Sequence, residues 1–305
     1  MSFKKIFMPR EGLEPPRFYP LDSKSSASAN SATAAKKLSA WRESNPRPSG
    51  SKPDALSSEL QAQVLLQFLA KKVYEVKPNM SPAIEMMNVG KRLGHHWVLS
   101  HLNLTVREGE AIALFGKNGS GKSTLLKMLA TLLSPSTGSL RILGYDGLRE
   151  RGEIRKKIRL LAHEKQLYGT LTAAENLRLA ASLRGLSPEG GRTKIAELLG
   201  RFQLEKFKDR RVSELSEGMK KRVVLARLLI GAEEPGLILL DEPHPALDTE
   251  GRRILHDLIE EWRKKGKTVV LASHDHEQAL LHADRMVLLD SGRISYDGPP
   301  GAQPL

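Results

Sequence analysis

The 305-residue chain contains no cysteine, few aromatic residues and no long apolar run. Without cysteine it can form neither a disulfide nor a thiolate metal site, and this composition favours a reducing compartment such as the cytosol. Phe, Trp and Tyr make up only 5% of the residues, so a surface of interleaved basic and aromatic side chains for nucleic acid is not expected. No apolar segment approaches the ~20 residues that a membrane-spanning helix needs.

The formal charge of +13 could by itself suggest nucleic acid or an acidic membrane as a partner. Residues 1–79 contain 13 Lys and Arg against 7 Asp and Glu, so +6 of the charge lies there and +7 is spread over the rest. Charge distributed in this way is typical of a solvated surface. We therefore expect no nucleic-acid partner.

Residues 1–79 do not show the pattern of a folded domain. DSKSSASANSATAAKKLSA is small and polar without periodicity, and WRESNPRPSGSKPD has the composition of a proline-rich linker. The RESNPRP segment also resembles a peptide that an antisense reading of a transfer-RNA gene would encode. We expect residues 1–79 to be disordered or a spurious extension, with the true start at Met80. Against this, residues 56–76 could form an amphipathic helix.

Residues 80–305 predict an α/β domain with a parallel sheet. AIEMMNVGKRL and WVLSHLNLTVREG alternate apolar and polar residues, which indicates an antiparallel pair of strands. EAIALF, GLILLD and KTVVLAS are short apolar runs typical of buried strands, and MVLLDSGRISYDG predicts a terminal hairpin. Helical periods dominate residues 165–211, which predicts a helical subdomain.

A phosphate-binding loop follows the first of these buried strands. GKNGSGKS matches G-x-x-x-x-G-K-[ST] between a predicted strand and a predicted helix, the context that the motif requires. Its glycines let backbone N–H groups close around a β-phosphate, Lys122 reaches the β- and γ-oxygens, and the Ser123 hydroxyl binds Mg²⁺. The predicted nucleotide-binding residues of the loop are Gly116, Lys117, Asn118, Gly119, Ser120, Gly121, Lys122, Ser123 and Thr124.

Two further buried strands end in polar side chains. GLILLDEP places Asp241 and Glu242 at the carboxyl edge of the sheet, beside the phosphate loop. Asp241 is suited to hold Mg²⁺ through water, and Glu242 stands where a base can polarise the attacking water. KTVVLASHD repeats the arrangement with His274. A lone histidine at a strand end is usually structural, but beside the other two motifs we interpret His274 as a sensor of the γ-phosphate.

Five motifs in order, GKNGSGKST, LSEGM, LILLDEP, PALD and SHD, resemble the nucleotide-binding domain of ABC transporters over residues 80–298. The resemblance implies a P-loop NTPase fold of the ABC ATPase type: a parallel core sheet, an N-terminal antiparallel β subdomain and a helical insert. It also implies ATP and Mg²⁺ as cofactors, and ATP hydrolysis coupled to transport. In this family two chains pack head to tail, so Ser216 and Gly218 of one copy would clamp the γ-phosphate held by the other, with Asp248 at the seam.

The chain departs from the family pattern at several positions. The usual LSGGQ carries Glu217 and Met219 here. Counted back from LTAAENL, Glu164 stands where a glutamine usually touches Mg²⁺, and its carboxylate can still bind a hard cation; Gln166 lies nearby and is the alternative in a different register. Where an aromatic side chain usually stacks on adenine, this chain has Leu93, with Trp97 close by, and we expect Trp97 to belong to the hairpin core.

The segments LLAHEKQLYGTLTAAENLRL and ELSEGMKKRVVLARLL resemble the ATPase of the haem exporter of cytochrome c maturation, the CcmA family. That resemblance implies a CcmB-like permease, whose cytoplasmic helix would rest near residues 165–171 and contact Tyr168. It places the chain at the cytoplasmic face of the inner membrane as a peripheral subunit.

Three alternatives stay open at this point. The first is an ABC-2 type exporter of another cargo, such as a drug, a polysaccharide or a lipid. The second is an ABC ATPase without a transport role, although such proteins usually carry two of these domains or a long coiled coil. The third is a regulatory subunit that does not hydrolyse ATP, as Glu164 and Leu93 could suggest; Lys122, Glu242 and His274 argue against it.

Overall fold

Two β-sheets and seven helices organise the part of the chain that the structure, a computed structural model, describes: residues 81–162, 167–231 and 233–299. The predicted extension 1–79, the predicted start at Met80 and the possible helix 56–76 lie outside these residues. Among the described residues, no helix is both long and apolar enough to cross a membrane.

The strands, in chain order, are β1 (Pro82–Leu93), β2 (His96–Arg107), β3 (Ala111–Phe115), β4 (Thr137–Ile142), β5 (Tyr145–Asp146), β6 (Ile158–Leu161), β7 (Leu237–Asp241), β8 (Thr268–Ala272), β9 (Arg285–Asp290) and β10 (Arg293–Gly298). The helices are α1 (Lys122–Leu129), α2 (Arg151–Lys157), α3 (Ala173–Leu183), α4 (Pro188–Arg201), α5 (Glu217–Leu228), α6 (Thr249–Lys264) and α7 (His276–Leu280). Short 3₁₀ turns lie at Glu205–Phe207 and Val212–Glu214.

The smaller sheet is antiparallel and has the strand order β2-β1-β4-β5. The predicted pairing of β1 with β2 is confirmed: Leu93 faces His96 across a tight turn in which Gly94 has φ 58°. β4 pairs with the other edge of β1, a contact between distant segments that strand patterns alone do not specify.

The larger sheet has the order β10-β9-β3-β8-β7-β6, and the five strands from β9 to β6 run parallel. β3, β7 and β8 lie in its interior, and every residue of these three strands is buried. A short run that is apolar throughout suits such a position, because helices cover both faces of a parallel sheet. The predicted parallel strands and the terminal hairpin β9–β10 are therefore confirmed.

The two faces of the larger sheet face separate cores. Alternate residues of a strand point to opposite faces, so Ala113 and Phe115 pack with α3 to α6, whereas Ile112 and Leu114 pack with α1 and the smaller sheet. Both faces of the interior strands are packed against other elements, so the strands have little freedom to move. The residues that follow their carboxyl ends are therefore held in defined positions. Those ends carry the candidate site.

Two helices, α3 and α4, lie between β6 and α5 in the chain, within the region predicted as helical. Thr172 begins α3 with a capping box: its hydroxyl accepts from the Glu175 amide, and the Glu175 carboxylate accepts from the Thr172 amide. The backbone hydrogen bond from Thr172 lowers the pKa of Glu175, so the box is complete at neutral pH. The start of this subdomain is thus encoded locally.

Candidate functional site

The phosphate loop joins β3 to α1, and its glycines are required by the backbone. Gly116 has φ 151° and Gly121 has φ 106°, conformations that side chains disfavour. A Cβ on Gly116 would lie 2.2 Å from the Leu289 carbonyl oxygen, and one on Gly121 would lie 2.5 Å from Leu99 Cδ2. The loop is therefore pressed against the neighbouring strands, which fixes where its amides point.

Lys122 folds back over this loop. Its Nζ donates to the carbonyl oxygens of Gly116 (2.5 Å) and Lys117 (3.2 Å), and the residue is 7% exposed. The hydroxyl of Ser120 is buried and lacks a hydrogen-bond partner within the described part of the chain. An ammonium held at the centre of the loop, a buried hydroxyl without a partner and the free amides at the start of α1 together form a cradle for an anion such as phosphate.

Asp241 and Glu242 lie at the carboxyl end of β7, as the sequence predicts. Asp241 ends the strand and is buried. Glu242 leaves the strand with φ 47°, a conformation that is rare for a residue other than glycine, and its amide donates to the Ala272 carbonyl oxygen (2.9 Å). Backbone strain of this kind concentrates at functional sites.

The structure brings Glu242 and His274 into contact. Glu242 Oε2 lies 2.7 Å from His274 Nδ1 and also accepts from the His274 amide at 3.3 Å. An ionised carboxylate only accepts hydrogen bonds, so Nδ1 carries the proton and Nε2 remains for a further partner. The His274 side chain is 65% exposed and that of Glu242 13%. A carboxylate oriented by an imidazole and partly open to solvent is arranged as a general base.

The oxygen ligands present fit a magnesium ion bound together with a nucleotide. Among residues 81–162, 167–231 and 233–299, no three His, Asp or Glu side chains form a metal site on their own. Mg²⁺ is usually held by one or two protein oxygens together with phosphates and water. The Ser123 hydroxyl and the Asp241 carboxylate are such oxygens. Glu164, the third predicted ligand, lies outside the described residues.

Ser216, Gly218 and Asp248 form a second polar surface. Ser216 caps α5, where its hydroxyl accepts from the Met219 amide (3.3 Å), and Asp248 caps α6 through the Gly251 amide (2.8 Å). A Cβ on Gly218 would lie 3.4 Å from the Asp248 carboxyl carbon, so the two segments touch. Ser216 and Asp248 are exposed, and within the described residues neither bonds to the phosphate loop.

Five of the nine histidines follow β7 in the chain, and sequence reasoning assigned a role to His274 alone. His276 stacks on Phe115 with ring centroids 4.3 Å apart, and its burial lowers its pKa. His244, His256 and His282 lie together: His256 Nδ1 is 2.5 Å from His282 Nε2, and the His244 ring is 5.9 Å from that of His256. The one sign of this cluster in the sequence is that most of the histidines occur late in the chain.

Trp97 does not belong to the hairpin core, so that expectation is wrong. Its side chain is 52% exposed, and Leu93 beside the turn is 45% exposed. At residue 97 the strand is still close to the turn, where a side chain has too few neighbours to be buried. A half-exposed indole and a leucine therefore share the tip of the hairpin.

A groove of about 520 Å³ lies between β6, α3 and α5. Its rim carries Tyr168, 59% exposed, and Leu183, 78% exposed. Arg184 and Arg227 also line it, and burial lowers the pKa of both guanidinium groups. The groove is thus lined by apolar side chains together with two arginines.

The ABC transporter family model matches residues 99–245. The ABC transporter ATP-binding protein NatA of Bacillus subtilis (strain 168) is 35% identical over 198 residues, which cover 65% of this chain and 80% of NatA. The Nod factor export ATP-binding protein I of Burkholderia orbicola (strain AU 1054) is 34% identical over 219 residues, which cover 72% of this chain and 71% of that protein.

A solved structure shares the architecture. It is the dimeric post-hydrolysis state of an ATP-binding cassette bound to ADP and Pi, with a TM-score of 0.64, 32% identity, and coverage of 71% of this chain and 98% of that one. With NatA matched over 80% of its length, the chain belongs to the ABC transporter family of ATP-binding proteins.

Proposed function

We propose that this chain binds and hydrolyses ATP as the motor subunit of an ABC exporter, together with a separate membrane permease. ATP hydrolysis is the activity of the family, and the contact between Glu242 Oε2 and His274 Nδ1 at the sheet edge carries the proposal for this chain. That contact brings together a carboxylate suited to activate water and an imidazole suited to bind a γ-phosphate oxygen, the two groups that the reaction needs beside the γ-phosphate.

The residues divide the reaction among them. Lys122 exchanges its carbonyl partners for β- and γ-phosphate oxygens, while the loop amides fix the β-phosphate. Ser123 and Asp241 would hold Mg²⁺, which neutralises charge on the phosphates when bound. Glu242 accepts a proton from the attacking water as its hydroxyl oxygen approaches phosphorus. His274 orients Glu242 through Nδ1–H and leaves Nε2 for a γ-phosphate oxygen.

A second copy of the chain completes the site in this proposal. Ser216 and Gly218 lie at the start of α5, where free amides favour an anion, and both reach the surface next to Asp248. The relative solved with ADP and Pi is a dimer. Two chains packed head to tail would place each Ser216 on the γ-phosphate held by the other, so that two ATP molecules lie at the interface.

The groove beside Tyr168 is the proposed docking surface for the permease. Its exposed Tyr168 and Leu183 suit the apolar face of a short helix, and Arg184 and Arg227 suit carbonyl or carboxylate groups at the end of that helix. The chain would then lie at the cytoplasmic face of the inner membrane as a peripheral subunit, with a CcmB-type protein as the partner implied by sequence resemblance.

Haem is the cargo that the resemblance to the CcmA family favours. The relatives reported above are named for other systems, and the name of the Nod factor protein favours export of a different molecule. A haem stain of c-type cytochromes after deletion of the gene separates the two. Loss of covalent haem, restored by the gene, supports haem export; unchanged cytochromes assign the chain to an exporter of another cargo.

Phosphate release from Mg·ATP tests the catalytic assignment. We expect Glu242→Gln to lower turnover at least 100-fold while ATP still binds, because the amide cannot accept the proton. Lys122→Met should instead weaken ATP binding. The control Lys264→Met also removes one positive charge, but from an exposed position on α6, and it should behave as wild type. Equal turnover in wild type and Glu242→Gln would refute the role given to Glu242.

A further inference from the structure

Lys221 is a buried lysine on α5 that the chemistry above does not use. The residue is 7% exposed, and its Nζ donates to the backbone carbonyl oxygen of Glu242 at 3.2 Å. Burying an ammonium group is costly unless acceptors receive its protons, and lysine is rarely buried to this extent. This ammonium contacts the residue that directly follows β7, and its burial there therefore calls for an explanation.

The carbonyl that Lys221 contacts belongs to a strained residue. With φ 47°, Glu242 occupies a left-handed conformation that is unfavourable for a residue with a side chain and persists only where neighbours hold it. Its amide is held by Ala272 and its carboxylate by His274, both from the end of β8. Lys221 adds a third contact, from helix α5.

We infer that Lys221 is a positioning residue for Glu242, an inference that rests on the proposed role of Glu242 as the base. By holding the carbonyl, Lys221 opposes rotation about the N–Cα bond of Glu242 from its positive φ toward the ordinary negative values, because that rotation would carry the carbonyl oxygen away from Nζ. Such a rotation would turn the side chain away from His274 and from the attacking water. Lys221 touches no reacting atom itself and acts through Glu242.

The same contact ties Glu242 to the helix that begins at Ser216. Lys221 lies five positions after Ser216, which is about 7.5 Å along a helix axis. If Ser216 serves the nucleotide of the second copy, α5 connects that nucleotide to the base that serves this chain's own nucleotide. A shift of α5 on closure of the dimer then reaches Glu242 through Lys221.

The test compares Lys221→Met, Lys221→Arg and the control Lys264→Met with wild type, measuring kcat and KM for ATP and the urea midpoint of unfolding. We expect Lys221→Met to lower kcat at least tenfold with KM for ATP within about twofold. Lys221→Arg should recover most of kcat, because a guanidinium can donate to the same carbonyl. Lys264→Met should match wild type.

Each other outcome has one meaning. Unchanged kcat in Lys221→Met overturns the inference, and so does a parallel change in kcat, KM and urea midpoint in both Lys221 variants, which is the mark of a structural role. If Lys221→Met does not fold, Lys221→Gln replaces it: its shorter side chain falls short of the carbonyl, so kcat equal to that of Lys221→Arg overturns the inference. A wild type without turnover would refute the proposed function instead.

Discussion

Gly116 shows at the scale of one residue how the neighbouring strand shapes the phosphate loop. Its φ of 151° and the Leu289 carbonyl oxygen, which would lie 2.2 Å from a Cβ, both exclude a side chain. A backbone atom of β9 cannot move aside without disturbing the larger sheet. The glycine is thus required by strain and by space together.

We predict that Gly116→Ala lowers the free energy of unfolding by about 2–4 kcal/mol, from added strain and overpacking. Gly185→Ala is the matched control, because Gly185 has φ 72° but open space around it, so only the strain of about 1 kcal/mol remains. Urea unfolding without nucleotide measures both. Equal losses in the two variants would show that Leu289 does not constrain the loop.

Single residues also mark how far the sequence predicts the site. The motifs GKNGSGKST and LILLDEP show which polar residues follow a buried strand, so Lys122, Asp241 and Glu242 could be predicted from the sequence. The 2.7 Å contact of Glu242 with His274 depends on β7 and β8 being neighbours in the sheet. Lys221 was not predicted, because a basic residue on an amphipathic helix gives no sign of which carbonyl it reaches.

At the scale of elements, a histidine cluster links three segments that carry site residues. His244 follows β7, His256 lies on α6, and His282 follows α7; His282 Nδ1 also lies 2.9 Å from Glu260 Oε1. Burial, and then the nearby His256, lowers the pKa of His244 from 6.5 to about 4, and Asp275 opposes this shift. Burial also lowers the pKa of His282.

These shifts predict a loss of stability in mild acid. The folded chain keeps His244 neutral down to about pH 4, whereas the unfolded chain binds a proton from about pH 6.5, so the unfolded state gains as pH falls through this window. For His244 alone the loss at pH 5 is about 2 kcal/mol. Urea unfolding at pH 7.5 and pH 5 should show a smaller loss for His244→Phe than for wild type. An identical loss in both would contradict the buried, neutral state of His244.

The elements themselves were predictable to different degrees. β7 and β8 could be found from sequence because each contains an uninterrupted apolar run, LILL in β7 and VVLA in β8. β6 was not predicted, since its four residues include Arg159 and follow a basic helix directly. Arg159 is buried and donates to backbone carbonyls of Lys156 and Ile158. A charged residue satisfied by nearby carbonyls hides a strand from any pattern of hydrophobicity.

On the scale of the whole molecule, the described residues carry two separate polar surfaces that we propose bind phosphate: the phosphate loop with the ends of β7 and β8, and the exposed start of α5. Lys122, Glu242 and His274 belong to the first, and Ser216 and Gly218 to the second. In the part of one chain that the structure describes, the second surface contacts Asp248 and forms no hydrogen bond with the phosphate loop. The family fold was predictable as a whole because its five motifs occur in a fixed order, whereas none of these motifs specifies the cargo.

The measurement that tests this account most directly is the mass of the Glu242→Gln variant in solution with Mg·ATP, determined by sedimentation equilibrium. We predict a particle of about twice the 33.8 kDa of one chain, because ATP bound by one copy would be held by Ser216 of the other. Adding Ser216→Arg to Glu242→Gln should return the mass to that of one chain, while Glu242→Gln with Lys264→Met should remain a dimer. A monomer in saturating Mg·ATP, or a dimer that Ser216→Arg leaves intact, would contradict the head-to-tail arrangement.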